Sequence, residues 1–154
     1  DFNIIQCAFG GTTINQYGFG SVNFNWVVEQ WNNAKRDAKS QGKTARLRGF
    51  NFTQGESNGG DNTGDYENAL RKLILDYRTY LQEPDMLFII VQMIDCQTSV
   101  VNLSELQATQ ALVGAEAGNA LISKNSGTNS CLDPLHFSQA KYLDVSDEIF
   151  ELIK

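Results

Sequence analysis

One histidine occurs in these 154 residues, His136, and an aspartate stands three positions before it in Cys131-Leu132-Asp133-Pro134-Leu135-His136-Phe137-Ser138. Imidazole is the side chain whose ordinary titration lies near neutral pH, so acid–base chemistry in this chain falls to His136. An Asp-x-x-His turn lets the Asp133 carboxylate fold back and accept Nδ1–H. That fixes the tautomer in which Nε2 takes a proton from a nucleophile. Pro134 stiffens the turn by fixing its own φ. The same residues also make an ordinary surface turn with an incidental hydrogen bond, so the motif needs company before it signifies catalysis.

Two more polar stretches supply that company. In Gly10-Gly11-Thr12-Thr13, consecutive glycines either form a plain turn or let backbone N–H groups approach a ligand closely. In Gln54-Gly55-Glu56-Ser57-Asn58-Gly59-Gly60, polar groups gather just after an apolar segment. Gly55-Glu56-Ser57-Asn58-Gly59 also matches the Gly-x-Ser-x-Gly nucleophile elbow, with Ser57 as nucleophile. An elbow turns directly into a helix, however, and residues 60–64 intervene here. The following Asp61-Asn62-Thr63-Gly64-Asp65 has half the look of a calcium loop but lacks the spacing and the closing glutamate. It reads as a helix-leading loop with Asp65 as N-cap, and neither a metal nor a cofactor is expected.

Residues 2–9 read as a strand ended by the double glycine. Phe24, Val27, Val28 and Trp31 recur at helical spacing, with Gly42 as a stop. Tyr17, Trp26 and Trp31 could stack on a sugar, although the spacing places the tryptophans in the core. A second strand runs over 47–53. A helix from Tyr66 carries Ala69, Leu70, Leu73, Ile74, Tyr77 and Leu81 on one face and stops before Pro84. The nearly uniform apolar run over 86–94 predicts a parallel strand covered on both faces. A helix opened by Ser104 follows to about Ala117, then a short strand over 119–123. Residues 137–153 close the chain, with Ala140, Leu143, Ile149, Phe150 and Ile153 as core positions. Asn51-Phe52-Thr53 and Asn102-Leu103-Ser104 are formal glycosylation sequons, discounted because the first lies in a strand and Ser104 reads as a cap. Alternating strands and helices predict an α/β chain built as a three-layer α/β/α sandwich on a parallel sheet, with its site at the carboxyl ends of the strands.

Composition limits the alternatives. With 42% apolar and 19% charged residues, the chain has the material for one domain over 1–154. Its net charge of −6 leaves no basic face for phosphates, so nucleic acid is not an expected partner. Nor is a membrane, because no apolar run approaches the roughly 18 residues a spanning helix needs. Cys7, Cys96 and Cys131 are too few and too far apart for a zinc cluster, and leave room for one bridge and one free thiol. A chain that opens on Asp1-Phe2-Asn3 without methionine reads as processed or truncated. Compartment stays open, with an extracellular or virion-associated setting favoured.

In order and setting, the three motifs resemble the sialate O-acetylesterase-like carbohydrate esterases of the SGNH hydrolase superfamily. In that family a Gly-Gly-Thr loop, a Gln-Gly-Glu loop and an Asp-x-x-His turn follow a nucleophile in Gly-Gln-Ser-Asn. Residues 66–78 and 88–92 resemble the helix and strand after the Gln-Gly-Glu loop. The resemblance implies an SGNH, flavodoxin-like sandwich and a serine esterase that removes O-acetyl groups from a sialate or polysaccharide. It makes His136 the general base and Asp133 its orienting carboxylate. Backbone at Gly10 or Gly11, with the Gln54 side chain, would form the oxyanion hole, and Glu56 would brace that loop.

No Gly-Gln-Ser-Asn occurs in the chain. In the family that segment includes the first strand, which lies between the strands expected over 2–9 and 47–53. The expectation is therefore a domain incomplete at its amino end, whose first strand and nucleophile belong to an amino-terminal segment or a second chain. Acetylated carbohydrate is the expected substrate. The absent nucleophile equally admits a non-catalytic carbohydrate-binding or structural domain, as in an adhesin or a viral tail protein.

Overall fold

A computed structural model describes residues 3–154, apart from the side chain of Thr63. Three short strands, β1 (Gly49–Phe52), β2 (Leu87–Val91) and β3 (Asn119–Ile122), pair in parallel in the order β1-β2-β3. Phe50 lies opposite Phe88, and Ile89 opposite Ala120. Parallel pairing requires crossovers, and these are α2 (Thr63–Leu81) and α3 (Leu103–Gly114). Helix α1 (Val22–Ser40) precedes the sheet and α4 (Gln139–Ile153) closes the chain.

Because side chains alternate across a strand, the two faces of the sheet carry separate cores. Phe52, Phe88 and Ile90 pack with Phe24, Trp31, Leu70, Leu73, Tyr77 and Val113 from α1, α2 and α3. On the opposite face Ile89, Val91 and Ile122 meet Phe137 and Val145. The chain is thus a three-layer α/β/α sandwich on a parallel sheet, with α1 to α3 on one face and α4 on the other. Trp31 is buried and its Nε1–H donates to Leu81 O at 3.2 Å, whereas Trp26 is half-buried and packs edge-on against Phe9.

Local expectations fail where tertiary contacts outweigh spacing. No strand forms over residues 3–9, and Phe2 lies outside the described residues. A strand needs a ladder partner, and the edge of β1 away from β2 pairs with no described strand. Helix α2 is capped by Asn62, whose side chain accepts from Gly64 N at 2.9 Å, so it starts before Asp65. Asn102, in the left-handed region at φ 52°, takes the cap position of α3 in place of Ser104. Leu143 and Phe150 of α4 are exposed, and so is Ala140. The helix instead turns Lys141, Val145, Ile149 and Ile153, four residues apart, toward the sheet. Lys141 is tolerated there because its ammonium donates to Ser126 O at 2.5 Å. Among the described residues no helix is long and apolar enough to cross a membrane.

Candidate active site

Gln54 follows β1 by two residues and is buried. Its Nε2 donates to Thr12 O at 3.1 Å and to Asn58 Oδ1 at 2.6 Å, which docks the Gly10–Thr12 loop onto the end of the strand. Asn58 Oδ1 also accepts from Ile14 N at 2.8 Å. Thr12 fixes the loop from within, since its hydroxyl donates to Phe9 O at 3.0 Å. At the turn itself Gly11 has φ 66°, which suits glycine, and a Cβ on Gly10 or Gly11 would meet nothing within 4 Å. Their backbone N–H groups make no hydrogen bond among the described residues. They stand as open donors beside exposed space.

The other side of the Gln54 loop presses on α3. A Cβ on Gly55 would lie 2.9 Å from the Leu106 side chain, so any larger residue would force that contact to shift. Gln110, fully buried on α3, donates to Gln54 O at 3.0 Å and accepts from Met93 N at 2.9 Å. Tyr66 donates its hydroxyl to Gln54 O at 3.1 Å. Burial, foremost, pushes this phenol above its usual range and keeps it a neutral donor. Both Gln54 amide protons are thus engaged inside the protein, and its buried Oε1 has no partner among the described residues.

The Asp133–His136 turn is built differently. Asp133 Oδ1 accepts from the backbone N of Leu135 and of His136, each at 2.8 Å, which closes the turn on itself. The His136 Nδ1 lies 2.9 Å from Asp133 Oδ2. The hydrogen bond from His136, followed by those from the two backbone N–H groups, holds the Asp133 carboxyl down at about 2. Side-chain exposure is 60% for His136 and 45% for Asp133, and Nε2 makes no hydrogen bond among the described residues. The turn is stapled to the loop after β2 by the Cys96–Cys131 disulfide, and Ser99 N donates to Pro134 O at 3.0 Å. Cys7 is the free thiol, raised above its ordinary value by burial.

Glu56 and the histidine turn meet through Gln97. Its Nε2 donates to Leu135 O at 2.6 Å and, at 3.4 Å, to Glu56 Oε1. The candidates therefore form two groups: Gly10, Gly11, Gln54 and Glu56 on docked loops, and Asp133 with His136 on a stapled turn. No hydrogen bond joins His136 directly to Gln54, Gly10 or Gly11 among the described residues. Ser57 is exposed in a three-residue 3-10 helix, Glu56–Asn58, and makes no hydrogen bond with His136. Two surface clefts, about 220 Å³ beside Ile14 and Phe19 and about 370 Å³ beside Leu121 and Glu148, share no lining residue with the site.

Sequence reasoning did not assign roles to Asn58, Gln97 or Gln110. A signal existed, because glutamines recur in apolar surroundings at Gln92, Gln97, Gln107 and Gln110, and a buried amide there must be satisfied. Which loops those amides join could not be read without the fold.

None of the curated proteins is similar enough in sequence to count as a relative. Among solved structures, the chain is similar to a protein from Arabidopsis thaliana whose X-ray structure was determined at 1.6 Å, with a TM-score of 0.73 and 21% identity. That likeness covers 96% of this chain and 60% of the plant protein, so the fold is shared and this chain spans less than two thirds of that protein's length. The family model for carbohydrate esterases described as sialic acid-specific acetylesterases matches residues 2–152. With nearly every residue inside that match, and on the same α/β sandwich, the chain belongs to the sialic acid-specific acetylesterase family of carbohydrate esterases.

Proposed function

We propose that this chain supplies the base and oxyanion donors of a serine esterase that removes acetyl groups from a carbohydrate, with the nucleophile on a segment outside these 154 residues. The observation that carries the reading is the Asp133 grip on His136 Nδ1 at 2.9 Å, which leaves Nε2 unengaged on an exposed ring. In that arrangement Nε2 takes the proton from a serine hydroxyl as its oxygen bonds to the acetyl carbon, and Asp133 stabilises the imidazolium. Negative charge gathers on the carbonyl oxygen, and the open N–H groups of Gly10 and Gly11 would receive it, each such donor being worth ~10²–10³ in rate. The carbon–oxygen bond to the sugar then breaks and His136 returns the proton to the departing sugar oxygen. Water, deprotonated by the same imidazole as it attacks the acyl carbon, releases acetate, and His136 returns that proton to the serine oxygen.

Gln54 enters this chemistry by holding the glycine loop in place. Its amide would donate to the oxyanion only on releasing Thr12 O or Asn58 Oδ1. Glu56 acts as a brace through Gln97. The edge of β1 that pairs with no strand among the described residues would offer a ladder to a nucleophile-bearing strand supplied by an amino-terminal segment or a second chain. Fluorophosphonate labelling of the whole protein preparation, with every labelled peptide mapped, tests this. A label on a serine outside these residues supports it, and a label on Ser57 replaces it with the nucleophile-elbow arrangement.

The absence of Gly-Gln-Ser-Asn favours a second reading, a domain that binds acetylated glycan without cleaving it. Replacing His136 with alanine separates the two. Loss of hydrolysis with binding retained supports the esterase, and hydrolysis undiminished by the change removes His136 from the chemistry.

A further inference from the structure

Gln97 is fully buried, and each polar atom of its amide is engaged. Oε1 accepts from Ile94 N at 2.9 Å, which fixes the side chain to the loop after β2. One Nε2 proton goes to Leu135 O at 2.6 Å, the carbonyl of the peptide bond leading into His136. The other faces Glu56 Oε1 at 3.4 Å, in the loop that begins at Gln54. Among the described residues it is the one side chain that hydrogen-bonds both loops. An amide suits this position because it alone combines two donors with an acceptor. A carboxylate at 97 would oppose both Glu56 and Leu135 O, and an apolar chain would leave Ile94 N and Leu135 O unpaired.

We propose that Gln97 is a positioning residue that sets the separation between the histidine turn and the Gln54–Asn58 loop on which the glycine loop is docked, which rests on the reading of His136 as general base. Gln97 touches no reacting atom, so its effect falls on the geometry of turnover. Displacements near 1 Å at a site cost about 10²-fold in rate. The disulfide fixes the turn at Cys131, five residues before the base, whereas Gln97 fixes it at the residue immediately before the base.

The test uses the complete protein with its nucleophile segment, 4-nitrophenyl acetate as the ester, and two variants, Gln97→Met and His136→Ala. Methionine keeps the volume and removes every hydrogen bond. The expected result is a kcat lowered about 10²-fold with KM little changed, at an unaltered circular dichroism spectrum. Within this chain the histidine ring signals in a two-bond nitrogen–proton spectrum belong to His136 alone, and they are expected to shift or broaden in Gln97→Met. Unchanged kcat and unchanged ring signals, with His136→Ala inactive, overturn the proposal. If His136→Ala is itself fully active, the reading of the site fails first, and the role of Gln97 falls with it. Should Gln97→Met fail to fold, nuclear Overhauser contacts in the unaltered protein decide: the Gln97 side-chain amide must report both His136 N–H and Glu56 Hγ. Loss of either contact overturns the proposal.

Discussion

The Gln54–Asn58 loop and the Asp133–His136 turn, the two parts of the proposed site, are stabilised by unlike means. Gln54, Asn58 and Gln110 are buried, and their amides tie β1, α3 and the glycine loop into the core. His136 and Asp133 are about half exposed, and their order comes from a carboxylate closing its own turn, a disulfide and one glutamine. Oxyanion donors work because they do not have to reorganise, so docking the exposed glycine loop onto a buried amide network is physically sound. A base must exchange protons with solvent and substrate, and burial would penalise its charged form. The difference teaches that changes in the first region should act on folding, and changes in the second on turnover.

Five measurements can break or sharpen that contrast. His136→Ala should lower kcat roughly 10⁴–10⁶-fold with no material change in Tm, since the side chain is exposed. A large fall in Tm would mean that the turn is also a structural element. Asp133→Asn should cost about 10⁴-fold in kcat by favouring the wrong tautomer, again with little effect on unfolding. Opening the disulfide by Cys96→Ser with Cys131→Ser, across a separation of 35 residues, should remove roughly 3–4 kcal/mol by denaturant titration. Activity lost in proportion to unfolded protein, and no further, would show that the staple does not position the base.

On the buried side, Gln110→Leu strips partners from Gln54 O and Met93 N. It should cost about 1–3 kcal/mol in stability, with kcat per folded molecule altered less than by any lesion in the turn. The smallest effect is that of acid. The Asp133 carboxyl is held at about 2 in the folded chain against an ordinary 3.8, so its contribution to stability is present above 3.8 and is lost as pH falls toward 2. Comparing acid unfolding of the parent and Asp133→Asn should show a modest difference above pH 4 that closes below it.

Much of this was legible in the residues. Helices α1, α2 and α3 and the β2 and β3 strands lie close to where apolar periodicity predicts them, because those segments bury one face or both. The pairing of Asp133 with His136 was legible because a three-residue separation leaves few geometries for the carboxylate. The strand over residues 3–9 was not, because β-propensity describes a fit to a neighbour and β1 offers it none among the described residues. Nor was the face of α4. Leu143 and Phe150 look like core by composition, yet the crossing of the helix over the sheet chooses Val145 and its neighbours.

By itself the sequence determined the α/β class, the three polar loops and the histidine with its carboxylate, since each rests on residues a few positions apart. Tertiary structure decided which cysteines pair, that Gln54 is committed to Thr12 and Asn58, and that Gln97 reaches both Glu56 and Leu135. Those contacts join residues 35 to 42 positions apart, apart from the local Gln54–Asn58 pair. No periodicity encodes a separation of that length. It is set when the strands align and bring their carboxyl ends, with the loops they carry, to one edge of the sheet.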